Sequence, residues 1–318
     1  MPSIYLRFEI RADSPRLRNP ALERLLAVAE PPEVVSDWRA DAQRLLAGPA
    51  GEPLEAGPVL CFQDSSLIAP LSASQVFLAT ALHARASLTS VGLPSNGLLR
   101  LTDDETRLLA EDFNAVFGGV TRDHRPDAVR LAAGAEGRLY ALFATAVRAR
   151  TLDPVLAIGQ DLWDFQPRGA DAARLARLGS ELEMWLFDHA VNRRRREQGE
   201  LEINALWLWG GGPPLTAMPP APFEVVGDDA LFSAWSALGG ALAPSAGRLL
   251  VCAAAPAEEA FNLHAQRALD SSVSGLRGGS IRAVYLSVGR QCRAVRRMPR
   301  RFVFRRGKPW WDYFDDTD

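Results

Sequence analysis

Residues 203 to 212 read INALWLWGGG and run directly into Pro213 and Pro214. Tryptophans on alternate positions call for a strand, because a two-residue period places Ile203, Ala205, Trp207 and Trp209 on one face. Asn204, Leu206 and Leu208 occupy the other. Neither face is solvent-polar, which predicts a strand buried on both sides in a parallel sheet. The glycines then fall at the strand's carboxyl end, the edge where open α/β sheets bind ligands. As a phosphate cradle the stretch is poor: it matches neither GxxxxGK(S/T) nor GxGxxG, and the two prolines have no N–H to offer.

The rest of the chain alternates helical and strand-like patterns. Asn19 and Pro20 are a cap and first-turn pair for a helix from Asn19 to Glu30. Ala50 to Pro58 is rich in Gly and Pro and reads as a loop, and the apolar run Val59 to Phe62 reads as a buried strand or part of a buried hairpin. LTDDETRLLAEDFNAVFGG is the clearest helix, with Thr102 and Glu105 set for a capping box and Gly118 as its end. A second long helix is predicted from Ala170 to Gln198, with His189 on its apolar stripe and Arg193 to Arg196 complementing the dipole at its end. After the tryptophan stretch come a helix near Asp228 to Leu238, the strand RLLVCAA, a helix from Pro256 to Ser271, and the strand-like runs IRAVYLSV and QCRAVRR. Strands separated by helices make the fold α/β, with a largely helical N-terminal half and a mixed or mostly parallel sheet with flanking helices in the C-terminal half.

Composition narrows the function classes. With 318 residues and a net charge of -2, the whole chain has no electrostatic pull toward nucleic acid or anionic lipid. Three widely spaced cysteines, Cys61, Cys252 and Cys292, point to free thiols in a reducing compartment. No signal-peptide pattern opens the sequence and no long apolar run spans a membrane, so a cytoplasmic location is expected.

Chemistry-bearing patterns are sparse. GxSxG, HExxH and EF-hand loops are missing, and the four histidines, His83, His124, His189 and His264, lie far apart. Asp161 and Asp164 read as turn and cap residues. Asp188 and His189 adjoin on a helix and so point in different directions. From Ser271 to Trp311 there is no Asp or Glu but eleven basic residues, among them Arg300, Arg301, Arg305 and Arg306, interleaved with Phe302, Phe304, Trp310 and Trp311. Arginines among aromatics suit single-strand or other anion binding, with cations on phosphates and rings under bases. The competing reading is a strand pair whose aromatic end docks onto the core.

Taken together, DLWDFQPRG, DHAVNRRRREQGELEINALWLWGGG and RRFVFRRGKPWWDYF resemble the proteobacterial regulatory proteins of RpfE type. The resemblance is carried by Asn204, Trp207, Trp209, Gly210, Gly211 and Gly212 and by the Arg-rich aromatic end. It is densest over Asp161 to Gly212 and weaker from Leu101 onward. Around the same strand, that family is similar to the archaeal-type cofactor-independent phosphoglycerate mutases of the alkaline-phosphatase superfamily. The resemblance implies an α/β core, a Ser or Thr nucleophile and two divalent metals held by Asp and His. Here the carry-over stops: the N-terminal Asp-Gly motif, the nucleophile segment and the downstream His and Asp motifs have no counterpart, and His264 is the one histidine after the strand.

The expectation is therefore a reduced mutase-like fold, with residues 1–100 as a helical region packed on the core and 101–318 as the mutase-like α/β part. Asn204, Trp209, Gly210, Gly211 and Gly212, with Asn192 and His189 from the preceding helix, form the expected ligand-binding set. Arg300, Arg301, Arg305 and Arg306 form the expected anion or nucleic-acid set. No metal or cofactor is assigned. The expected function is non-catalytic and regulatory, acting on a protein partner or a small anion. The alternatives are a metal-dependent mutase or phosphatase and a nucleic-acid-binding accessory protein.

Overall fold

The structure is a computed structural model, and it describes residues 3–9, 18–35, 37–47, 53–66, 73–117, 129–239, 248–254, 263–298 and 308–314. Two compact units divide the chain, one formed by Met1–Pro53 with Pro219–Asp318 and the other by Leu54–Met218. The boundary expected near residue 100 falls inside the second unit.

In the first unit, β1 (Ser3–Glu9), α1 (Pro20–Leu26), β2 (Glu33–Val34) and α2 (Trp38–Ala47) precede the break. The second unit holds α3 (Ala56–Gln63), β3 (Gln75–Leu82), β4 (Arg85–Ala86), β5 (Val91–Gly92), α4 (Asp103–Val116), β6 (Val129–Ala133), β7 (Leu139–Phe143), β8 (Ala149–Arg150), β9 (Arg168–Gly169), α5 (Ala172–Phe187), α6 (Ala190–Gln198) and β10 (Ala205–Gly212). The chain then returns to the first unit through β11 (Glu224–Val226), α7 (Ala230–Gly239), β12 (Leu249–Ala254), α8 (Leu263–Gly278), β13 (Ala283–Val288) and β14 (Gln291–Val295).

The first unit is built on a six-stranded sheet in the order β11-β12-β1-β13-β14-β2. Pairing is parallel from β11 to β13 and antiparallel at β14 and β2. Strand alternation divides β1 cleanly. Ile4, Leu6 and Phe8 enter a core with Val284, Leu286, Leu22, Leu25 and Leu269, while buried Tyr5 and Arg7 point the other way. Arg7 donates to Ser287 Oγ at 3.0 Å and to the Gly289 carbonyl at 2.7 Å, and lies 4.9 Å from the Trp38 ring centroid. Burying a cation this deeply requires such partners. Asn19 caps α1 as its sequence predicts, accepting from Leu22 N–H at 3.0 Å.

The Arg-rich aromatic end is partly visible. Trp310 is 1% exposed within the first unit's core. Arg293 donates to the Tyr313 carbonyl at 2.8 Å and lies 5.9 Å and 5.8 Å from the Tyr313 and Phe314 rings. These groups serve packing, the competing reading of that stretch. Arg300, Arg301, Arg305, Arg306, Phe302 and Phe304 lie outside the described residues, as do Gly118 and His124.

The second unit has a four-stranded antiparallel sheet, β10-β3-β7-β6. Its core joins Phe77, Phe143, Leu109, Phe113, Leu182, Leu186 and Leu206. The α4 capping box forms, with Glu105 N–H on Thr102 Oγ1 at 3.2 Å and Thr102 N–H on Glu105 Oε2 at 2.8 Å. Two sequence expectations change here. Val59 to Phe62 is not a strand but part of α3, whose residues Ala56 to Cys61 are all buried; a helix apolar all round leaves no periodicity to tell it from a strand. The long helix from Ala170 to Gln198 is two helices, broken at Asp188 and His189. His189 adopts extended backbone (φ -66°, ψ 146°) and becomes the N-cap of α6 instead of continuing an apolar stripe.

Candidate functional site

Among the described residues β10 pairs with β3 alone and in antiparallel sense, which places it at the edge of the described sheet and not at the interior parallel position its composition predicts. Leu206 and Leu208 pack into the core shared with α5, Ala205 and Trp207 pack against Leu82, Leu93, Ala157, Leu162 and Phe165, and α3 meets the glycine end. The rule that ligands gather at the carboxyl ends of parallel strands therefore does not apply to its glycines. Trp207 donates its indole N–H to the Leu152 carbonyl and Trp209 donates to Thr80 Oγ1, both at 2.8 Å. Each tryptophan is thereby fixed at its polar end as well as by its ring.

The three glycines have separate steric reasons. The register with β3 shifts between Trp209, opposite Leu78, and Gly212, opposite Val76, which inserts one extra residue as a bulge. Gly210 sits at φ +61°, and a Cβ on Gly211 would lie 2.1 Å from the Phe77 ring. At Gly212 it would lie 3.0 Å from the Pro58 ring. Gly57 of α3 answers from the other side, where a Cβ would stand 2.6 Å from the Val76 carbonyl oxygen and 2.7 Å from that of Gly210. The triplet is a close-packing surface for α3 and Phe77.

At the other end of β10, the structure brings together three of the expected site residues. Asn204 donates to the Ala84 carbonyl at 2.7 Å and accepts from Ala84 N–H at 2.8 Å. Asn192, 1% exposed, donates to the carbonyls of Leu186 at 2.8 Å and Ile203 at 2.7 Å, and accepts from Ile203 N–H at 2.8 Å. Each amide stands in for a strand partner, so α6 and the chain before β4 hold the approach to β10 from two directions. Buried His189 accepts the Val191 N–H on Nδ1 at 3.2 Å, which leaves its proton on Nε2, 3.2 Å from Asp112 Oδ2. Burial lowers the His189 pKa, and Asp112 opposes that shift only in part. Trp209 and the glycines lie at the far end of the strand from this group.

Two charged clusters escaped the sequence reading. Arg195, the buried member of the RRRR run, donates to Glu105 Oε1 at 2.6 Å and Oε2 at 3.1 Å, and to the carbonyls of Leu201 at 3.0 Å and Arg100 at 3.1 Å. One arginine of four is thus a structural clamp, and spacing along a helix could have picked it out as the one on the inner face. Asp64 accepts from Arg138 Nε at 2.9 Å and Nη2 at 2.8 Å, from the Tyr140 hydroxyl at 2.7 Å and from Ala135 N–H at 3.1 Å. Burial pushes the Asp64 carboxyl up, but the bonds from Arg138 and Tyr140 outweigh it and hold the group below its ordinary range. Burial and the Asp64 charge raise the Tyr140 phenol well above its own. A side chain on neighbouring Gly134 would meet Asp64 Oδ2 at 2.3 Å. No local sequence signal links residues 64 and 138.

The resemblance implies a two-metal centre held by Asp and His side chains. Among the described residues, no three His, Cys, Asp or Glu side chains converge. His83 Nδ1 is 2.8 Å from the Glu202 carbonyl oxygen and His189 Nδ1 caps α6. The described donor set does not fit such a centre.

No family model matches the chain. A probable 2,3-bisphosphoglycerate-independent phosphoglycerate mutase of Geobacter sulfurreducens is 39% identical over 54 residues, 17% of this chain and 14% of that protein. A 2,3-bisphosphoglycerate-independent phosphoglycerate mutase of Methanothrix thermoacetophila is 30% identical over 113 residues, 36% of this chain and 26% of that protein. This chain is distantly similar to the cofactor-independent phosphoglycerate mutases. The match spans about a quarter or less of either relative's length. Among solved structures, the cofactor-independent phosphoglycerate mutase from Thermoplasma acidophilum aligns over 93% of this chain and 89% of its own, at 15% identity and a TM-score of 0.37. The PH0037 protein from Pyrococcus horikoshii aligns over 92% and 86%, at 12% identity and a TM-score of 0.38. No helix among the described residues is long and apolar enough to cross a membrane.

Proposed function

We propose that this chain is a non-catalytic regulatory or partner-binding protein of RpfE type, built on a mutase-like fold. One observation carries the reading: the residues that bear the resemblance are engaged in holding β10. Asn204 has both amide groups on Ala84, and Gly211 and Gly212 lie where a side chain would strike Phe77 and Pro58. Residues occupied in this way serve architecture, and architecture can persist where chemistry changes.

A second reading, a metal-dependent phosphoglycerate mutase or phosphatase, draws on the names of the two curated relatives. One experiment separates them. The purified chain is assayed with manganese, magnesium or zinc on 3-phosphoglycerate, 2-phosphoglycerate and a generic phosphate ester. The proposal expects no metal-dependent turnover. Robust turnover abolished by a single Asp substitution overturns it.

A further inference from the structure

The hairpin formed by β4 and β5 projects from the second unit with Leu88 at its tip fully exposed. The tip is ordered: Ser87 N–H donates to the Ser90 carbonyl at 2.8 Å, and Ser87 Oγ accepts from Ser90 N–H at 3.1 Å and bonds Ser90 Oγ at 2.8 Å. The base is ordered as well, by the Asn204 amide on Ala84 and by bridges from Gly92 to Asp161 and from Leu93 to Ile158. A rigid arm holding a leucine in water has already met the ordering cost of a contact.

At the foot of the same hairpin lies an open cavity of about 360 Å³, lined by Arg85, Gly92, Leu93, Pro94, Gly159 and Asp161 among others. Its glycines leave it roomy, since a Cβ on Gly159 would meet nothing within 4 Å and one on Gly92 nothing nearer than the Gln160 carbonyl oxygen at 3.7 Å. Val91 and Trp163 stand at 44% and 80% exposure on the elements that frame it. Leu88, Val91 and Trp163 are thus large apolar groups exposed on segments that line or adjoin one hollow, and exposed apolar surface beside a hollow marks docking sites. The occupant follows from the pairing of features on one surface: an apolar knob, an adjacent hollow, and one charge of each sign within the hollow. Such a patch is self-complementary under a two-fold axis, where every contact is made twice.

We propose that the β4–β5 hairpin is a dimerisation arm, with Leu88 of each copy seated in the cavity of the other and Arg85 of each facing Asp161 of the other. Sedimentation velocity on the full chain over a range of concentrations tests this. The wild type should pass from one to two chain masses as concentration rises. Leu88→Asp, at a position too exposed to affect folding, should weaken association about ten-fold or more. Arg85→Asp and Asp161→Arg should each be monomeric, since each sets like charges opposite one another, and an equimolar mixture of the two should dimerise because both cross-pairs become Asp with Arg. That recovery also shows that both variants fold. A wild type of single-chain mass throughout, a Leu88→Asp variant that associates as the wild type does, or a mixture that stays monomeric would each overturn the proposal.

Discussion

The packing account of the glycine triplet is sharpest at Gly211. An added Cβ would stand 2.1, 2.3 and 2.5 Å from three carbons of the Phe77 ring, where carbon atoms normally rest about 3.5–4.0 Å apart. The ring would have to move by more than about 1 Å to restore that spacing. It has little room: Phe77 is 0% exposed and meets Phe143 edge-on, with ring centroids 5.4 Å apart. Overpacking of a dense core costs about 1–3 kcal/mol, and the depth of this overlap places Gly211→Ala near about 3 kcal/mol. Gly210→Ala should be destabilising for another reason, the left-handed backbone at φ +61°, at about 1–2 kcal/mol. Trimming the ring separates the two mechanisms. In urea titrations followed by tryptophan fluorescence, Phe77→Leu should recover about 1 kcal/mol or more of the Gly211→Ala loss in a double-mutant cycle, and nothing of the Gly210→Ala loss. Strictly additive effects of Gly211→Ala and Phe77→Leu, or a neutral Gly211→Ala, would refute the reasoning and reopen a ligand role for the triplet.

Three further outcomes are expected. Asn192→Ala should cost about 1–3 kcal/mol, because it strips partners from the backbone of Ile203 and Leu186; hydrogen exchange should show the Ile203 amide losing protection. Asp64→Asn should cost about 3 kcal/mol by denaturant titration, the low end for a broken buried pair because the Arg138 side chain is 17% exposed. The Asp64 pKa is depressed in the fold, so its contribution is complete above about pH 4 and lost as pH falls through the folded value. His189 titrates with the opposite charge change: its folded pKa is lowered, so the unfolded chain binds the proton more readily. Stability should then be complete above about pH 6.5 and decline below it as the α6 cap is protonated. His189→Asn, which can still cap, should flatten that slope in denaturation midpoints taken at about pH 7.5 and pH 5.5.

Local chemistry was legible in the sequence. The Asn19 cap, the Thr102 and Glu105 capping box and the strand character of residues 205–212 each depend on neighbours within a few positions, and each formed as its residues predict. The division of a helix at His189 was less legible, since a histidine cap looks like one more residue on a stripe until its ring turns back to Val191. Burial misled in two places. An all-apolar α3 looks like a strand, and a strand with apolar packing on both faces looks like one in a parallel sheet. As for the site, the sequence named Asn204, Asn192 and His189 without showing that each is bonded to backbone.

What the sequence determined by itself was local, the Asn19 cap, the α4 capping box and the strand at residues 205–212, because caps, turns and side-chain periods act over a turn of helix or two residues of strand. Which elements meet was decided only by tertiary structure. Asp64 finds Arg138 across 74 positions and Asn204 finds Ala84 across 120. The meaning of WLWGGG belongs to that second class: its glycines are explained by Phe77, Ala56, Gly57 and Pro58, distant in sequence and within about one atomic diameter in space.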